Sequence, residues 1–184
     1  MALATLSATA CADGFDDPVE TEVGDAELCE DVATWESDWV AWEDDLVREL
    51  NAARAQPLAC GDEAQMRQRA LAVVPELVCA ARVQARELAE VGELTHAGPA
   101  GNYVSRSAAA GYAGVPTAEL LAIDVNAPPR VAARWIAEAE SCRALLGPPA
   151  SAAESRPFSD EVGVGLYRDA DEIPHWVVAL GQAR

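Results

Sequence analysis

Residues 77 to 96, LVCAARVQARELAEVGELTH, read as one helix and the turn that follows it. Leu77, Ala80, Ala81, Val83 or Gln84, and Leu88 recur at steps of three and four, so they form one inward stripe. Pro75 suits the first turn, where its missing N–H costs nothing, and Gly92 can end the helix. Upstream, Trp35, Trp39, Trp42, Leu46 and Leu50 repeat the same spacing and predict a long helix capped by Asp31 or Thr34. Three tryptophans on one stripe read as core; an aromatic platform for carbohydrate is the sharper alternative. Downstream, Pro128 and Pro129 open a third helix carrying Val131, Ala132, Trp135 and Ile136. It passes Cys142 to Leu145 and Leu146, and Gly147, Pro148 and Pro149 stop it. VGVGLY (162 to 167) and HWVVALG (175 to 181) read as two strands joined by a polar turn at 168 to 173. The class is α+β.

Length and charge narrow the possibilities further. The chain has 184 residues, and no run of eighteen uncharged apolar residues could cross a membrane. Acids outnumber bases 31 to 13, a net charge of -18, which excludes ordinary nucleic-acid binding because no basic face can be assembled to neutralise phosphates. Every cation is arginine, a codon-bias signature rather than chemistry. Fourteen acids and no base precede Arg48. Residues 12 to 33 are acidic and poor in large side chains, so an extended, solvated tether is expected there, ahead of a folded domain at 34 to 184.

Five cysteines (Cys11, Cys29, Cys60, Cys79, Cys142) lack the paired spacing of a zinc ribbon or redox motif, and two histidines cannot complete a zinc finger. Disulfides are the better reading. Residues 1 to 11, MALATLSATAC, are apolar, carry no positive start and reach Cys11 through small residues, like the remnant of a lipoprotein signal. Cys11 is either lipidated or a free thiol in a tail. If lipidated, it is the chain's one route to a membrane, and the acidic tether would hold the domain off the surface. Setting Cys11 aside leaves four cysteines, enough for two bridges.

Ordered along the chain, these residues resemble the CAP superfamily (cysteine-rich secretory, antigen 5 and pathogenesis-related proteins) in its bacterial extracellular, SCP-like form. The likeness covers about residues 35 to 181. Leu50-Asn51-x-x-Arg54 is similar to the family's first-helix L-N-x-x-R, and Leu77 with Ala80-Ala81-Arg82 and Leu88-Ala89 to its second helix. His96-Ala97-Gly98 stands for H-T-G, Gly111-Tyr112 for A-G-Y, and Glu119-Leu120-Leu121-Ala122 for E-N-I-A. Trp135 to Arg143 resembles W-x-x-S-P-G-H-C/R, and Val162-Gly163-Val164-Gly165 and Trp176 complete the order. The resemblance implies a three-layer α-β-α sandwich around a small, mainly antiparallel sheet, secreted or envelope-bound. It also implies that helices one and two pack side by side, which pairs Cys60 with Cys79 and leaves Cys29 for Cys142.

In that family a cleft lined by two histidines and two acids can hold a divalent ion. Here His96 matches the first histidine, Glu119 the acid of E-N, and Glu138 a second acid; the second histidine falls on Ser141. A neutral hydroxyl is a poor zinc ligand, so His96, Glu119 and Glu138 remain as weak metal candidates, and no cofactor is expected. Leu120 replaces the family asparagine, and Gln84 and Leu88 stand where bacterial relatives often have histidine and methionine. His96 is expected to be buried or half-buried against Glu119, and His175 to be a sheet residue facing water. No G-x-S-x-G elbow is present, and a Cys-His pair would need a free thiol. Two functions stay open. One is a monomeric, non-enzymatic module whose cleft (His96, Glu119, Glu138, Ser141) binds a lipid, another small ligand or a protein partner. The other is a metal-dependent extracellular hydrolase using the same cleft.

Overall fold

A computed structural model describes residues 18 to 147 and 158 to 184. The helix expected at Pro75 is α2 (Pro75–Val91), with proline at its start; Gly92, at φ 73°, closes it by donating its N–H to the Leu88 carbonyl at 2.8 Å. Its buried face includes Leu77, Ala80, Ala81 and Leu88. That face lies on a hairpin of β9 (Glu161–Arg168) and β10 (Pro174–Gln182), the two strands expected from the sequence. Two glycines of VGVG set the closeness of the contact. A Cβ on Gly163 would sit 2.0 Å from the Leu77 backbone, and one on Gly165 2.4 Å from that of Ala81.

A third long strand, β8 (Val115–Ile123), pairs antiparallel with β10, while a short β5 (Ala72–Val73) runs parallel to β9. The sheet order is β5-β9-β10-β8, so β8 is an edge. Opposite α2, the sheet is covered by α1 (Ser37–Arg54), α4 (Pro128–Ala137) and α5 (Ala139–Leu146). Leu46, Leu50, Trp135, Leu145 and Leu146 meet Leu120, Val164, Leu166, Trp176 and Val178 there. This is the three-layer α-β-α sandwich with a mainly antiparallel sheet. Each of those side chains is about 1.5–3 kcal/mol more stable buried than exposed.

The L-N-x-x-R motif works as a clamp. Leu50 is core, Asn51 exchanges two hydrogen bonds with the Leu71 backbone (3.2 and 2.7 Å), and Arg54 donates to the carbonyls of Arg69 and Ser159 (both 2.8 Å) and of Leu145. Burial lowers the Arg54 pKa to about 10, against a smaller rise from Asp160. It therefore stays charged at neutral pH and ties the end of α1 to the end of α5.

Several expectations are corrected. Trp35 lies on β2 (Thr34–Glu36), not on α1, whose cap is Glu36 with no side-chain bond; Asp31 and Thr34 do not cap it. Trp39 and Trp42 are half-buried and spoken for: Trp39 packs edge-on to Trp35, and Trp42 stacks on Trp176 at 6.0 Å with the Arg168 guanidinium over its ring at 4.7 Å. The third helix is two, because Glu138 leaves helical geometry (φ -87°, ψ 116°). Pro148 and Pro149 lie outside the described residues.

The acidic tether is corrected from residue 18 onward. Residues 18 to 33 form a strap on the domain: β1 (Pro18–Glu20) pairs with β2, and a 3-10 helix (Glu27–Val32) follows. Val23, Cys29 and Val32 are buried with Ala80 and Val83. Average composition hid these few anchors, spaced so that acids face out and apolar side chains in. Residues 1 to 17, with Cys11, lie outside the described residues.

The bridges are Cys29–Cys79 and Cys60–Cys142, not Cys60–Cys79 and Cys29–Cys142. Cys79 lies with the strap on the α2 side of the sheet; Cys60 and Cys142 belong to the core on the α1 side. The two pairs thus fall on opposite sides of the sheet, and helices one and two meet through Glu43 and Arg82 rather than through their cysteines. By chain entropy each bridge contributes about 4 kcal/mol. Peptide mapping without reduction should recover Cys29 linked to Cys79; a Cys60 to Cys79 peptide would overturn this layering.

His175 is likewise corrected from solvent-facing to buried. It shares the face of β10 carrying Val177 and Ala179, against α2, and its Nε2 lies 3.1 Å from Asp169 in the hairpin turn. That hydrogen bond is the main cause lowering the Asp169 pKa, helped by the backbone N–H of Ile173.

Candidate functional site

Glu119 stands on edge strand β8 opposite Ala179, on the face of the sheet that carries α2, and is buried. A buried carboxylate needs a counter-charge, and Arg106 supplies it. Arg106 comes from α3 (Tyr103–Ala109), a helix started by Asn102, whose Oδ1 accepts the N–H groups of Val104 and Ser105 at 3.0 Å. Fully buried, Arg106 donates to the carbonyls of Gly101 (2.7 Å) and Ala80 (3.2 Å) and to Glu119 Oε2. Oε1 of Glu119 lies 3.0 Å from His96 Nδ1. The expected His96–Glu119 contact is present, but the ring is 59% exposed, so His96 is neither buried nor half-buried. Its loop leaves α2 at Gly92 and is held by the Gln84 amide, which donates to the Thr95 carbonyl at 2.6 Å, and by the Glu119 contact.

The opposite wall starts at Glu138, where the chain breaks between α4 and α5. Its carboxylate accepts from Ser141 Oγ at 3.2 Å and from Arg134 Nε at 3.4 Å, on an exposed surface. Both walls bound one cleft of about 630 Å³, which His96, Glu119, Glu138 and Ser141 all line. The structure thus brings the four residues to one place as two hydrogen-bonded pairs. Apolar lining comes from Leu94 and Leu120. Two smaller cavities, of about 280 Å³ between α1 and α4 and about 160 Å³ beside Glu43 and Arg82, hold none of these side chains.

The donors do not fit a divalent ion. Both Glu119 oxygens are engaged, one by Arg106 and one by His96, and Glu138 is turned to Ser141 and Arg134. Among the described residues no three His, Cys, Asp or Glu side chains converge as metal ligands. Arg106 is the site residue that sequence reasoning missed. Its signal was present: residues 103 to 113, YVSRSAAAGYA, hold no other charge, and a lone arginine among small side chains marks a candidate for burial.

Comparison with protein-family models and with curated proteins finds no match. Solved structures do. An outer surface protein of Borrelia burgdorferi superposes with a TM-score of 0.58 at 20% identity, over 77% of this chain and 95% of that one. An extracellular protein of Bacillus anthracis that contains an SCP domain gives 0.52 at 15% identity, over 78% of this chain and 41% of that one. The chain has the SCP-like, or CAP, fold. At such identities the likeness speaks for the CAP fold alone. Within it, the substitution of Ser141 for the second histidine implied by the resemblance sets a hydroxyl paired with Glu138 where an imidazole would stand.

Proposed function

We propose that this chain is a secreted or envelope-held CAP-domain binding module, whose cleft takes a ligand or partner without transforming it. The observation that carries the reading is the pairing inside the cleft. The Ser141 hydroxyl donates to Glu138, and His96 is held by Glu119, itself neutralised by Arg106. The one hydroxyl bonded to a base in the cleft, Ser141, meets an exposed carboxylate shared with Arg134 and not an imidazole oriented by a third group, the arrangement that activates a serine nucleophile. A cleft of about 630 Å³ falls in the ordinary range for small-ligand sites. An extracellular location is supported by the two disulfides, which persist in oxidising compartments. Cys11 is the candidate lipid attachment point.

The hydrolase reading has one observation in its favour: Nδ1 of His96 is fixed by a buried carboxylate, which orients an exposed imidazole towards the cleft. Turnover of casein and of p-nitrophenyl esters, with and without EDTA, separates the two. The module should show no turnover in either arm. Turnover that EDTA or His96→Ala removes would overturn the proposal in favour of the hydrolase.

A further inference from the structure

Ala118, Glu119, Leu120 and Leu121 are consecutive on β8, and all four line the cleft. Successive side chains of a strand point to opposite faces of the sheet. Residues from both faces line one cavity only where it opens on the strand's edge. The hydrogen-bonding direction of that edge follows from the ladder, which is regular from His175 to Leu180 opposite Ile123 to Ala118. In an antiparallel pair, residues turning both backbone groups to the partner alternate with residues turning both away. The Trp135 indole donates to the Leu121 carbonyl from outside the sheet at 3.2 Å, so Leu121 faces away from β10, and Glu119 two residues earlier does the same. The N–H and C=O of Glu119 and the N–H of Leu121 have no hydrogen-bond partner among the described residues. The cleft therefore holds an unpaired strand edge spanning roughly 13 Å over four residues. Sheet proteins commonly blunt such an edge with lysine or an inward charge. Here no base stands on β8, and the one acid, Glu119, is already neutralised by Arg106.

Charge selects the occupant. Glu138 and Glu140 stand exposed at the cleft, Arg134 offsets the first only through a loose surface contact, and the whole chain carries -18. Leu94 and Leu120 offer apolar contact beside them. We infer that the cleft binds an extended peptide segment of a partner protein, carrying lysine or arginine, as an added strand on β8. Backbone bonds to Glu119 and Leu121 hold it, and Glu138 and Glu140 select its basic side chain. This rests on the reading of the cleft as a binding site and names what it binds.

The test uses the full chain and a positional-scanning library of fluorescein-labelled hexapeptides. Peptides with arginine or lysine should bind, and their glutamate counterparts at least about tenfold more weakly, a difference that Glu138→Gln with Glu140→Gln should largely erase. N-methylation along the best peptide should weaken binding about tenfold at alternate amides and leave those between within about twofold, the period of a strand. Ser141→Trp or Ala144→Trp, each first checked for folding by circular dichroism, should block binding. A flat N-methylation profile, or no peptide bound below about 1 mM, would overturn the inference. If no peptide binds but native mass spectrometry of protein from its own source shows a ligand that Ser141→Trp releases, the cleft reading stands and the peptide inference falls. If peptides bind equally well to both tryptophan variants, the cleft reading falls with it.

Discussion

Gly163→Ala is expected to leave little folded protein, although it adds one methyl group. The added Cβ would stand 2.0 Å from the Leu77 carbonyl carbon and 2.1 Å from the Val78 nitrogen, both backbone atoms of α2. Neither can rotate away as a side-chain tip could, so the helix must lift off the sheet. That separates Leu77, Ala81 and Leu88 from Val177 and Ala179. Overpacking a well-filled core costs about 1–3 kcal/mol where side chains yield, and a backbone clash belongs at or beyond the top of that range. A domain with about 5–15 kcal/mol in hand loses much of its stability at once. Gly92→Ala is the control, since its new Cβ meets nothing within 4 Å and carries only the cost of φ 73°, about 1–2 kcal/mol. Urea denaturation of both variants is the measurement. Gly163→Ala within about 1 kcal/mol of wild type would contradict the seating of α2 on β9.

Arg82→Met should cost about 3–5 kcal/mol, because it strands a buried carboxylate. Arg82 and Glu43 are both buried, with Arg82 Nη2 2.6 Å from Glu43 Oε2. Glu43 also accepts from Trp35 Nε1 (3.0 Å) and the Leu166 N–H (2.9 Å), while Arg82 reaches Thr21 Oγ1 (2.5 Å) and the Val32 carbonyl (3.2 Å) of the strap. Loss of the guanidinium leaves the acid with neutral donors only. The deficit should depend on pH in a defined direction. Burial pushes the Glu43 pKa up, and Arg82 is the main influence pulling it back. Without Arg82 the folded pKa rises further above the unfolded value of about 4.3, so the native state holds a proton that the unfolded chain releases. Such a contribution is full below the unfolded pKa and is lost as pH rises through the folded one. The variant should therefore be closer to wild type at about pH 5 than at about pH 8, with the strap at residues 18 to 33, which holds Glu20, Glu22, Glu27 and Glu30, more open to a glutamate-specific endoproteinase. An equal deficit at both pH values would contradict a buried, ionised Glu43.

The elements that sequence reasoning placed well are those whose period is unambiguous. The stripe from Leu77 to Leu88, with proline before and glycine after, could only be α2, and the alternating VGVGLY and HWVVALG could only pair as a hairpin. β8 carried no such signal. AELLAI has the composition of a helix as much as of a strand, and its partners lie more than fifty residues away on β10. The strap from residue 18 was hidden for a different reason: the average charge of a segment says nothing about where its three buried side chains fall. The bridges were misassigned because the layer a cysteine joins depends on the tertiary arrangement and not on the helix that carries it.

At the cleft, the four residues named from the sequence do line one cavity, while their partners were only partly legible. The His96 contact with Glu119 followed from the resemblance. The arginine beneath it did not, since Arg106 reaches Glu119 across thirteen residues from a helix that the sequence did not mark. The break at Glu138 was equally silent, because the apolar stripe continues through it, yet the break turns Glu138 towards Ser141.

A cleft whose polar side chains are bonded to one another should serve recognition and not metal chemistry, and calorimetric titration of zinc at neutral pH tests this most directly. Wild type should give little heat at micromolar zinc, whereas Ser141→His, which restores an imidazole to the wall facing His96, should bind at least about tenfold more tightly. Wild type binding zinc at nanomolar affinity, about -12 kcal/mol, with no gain in Ser141→His, would contradict the account.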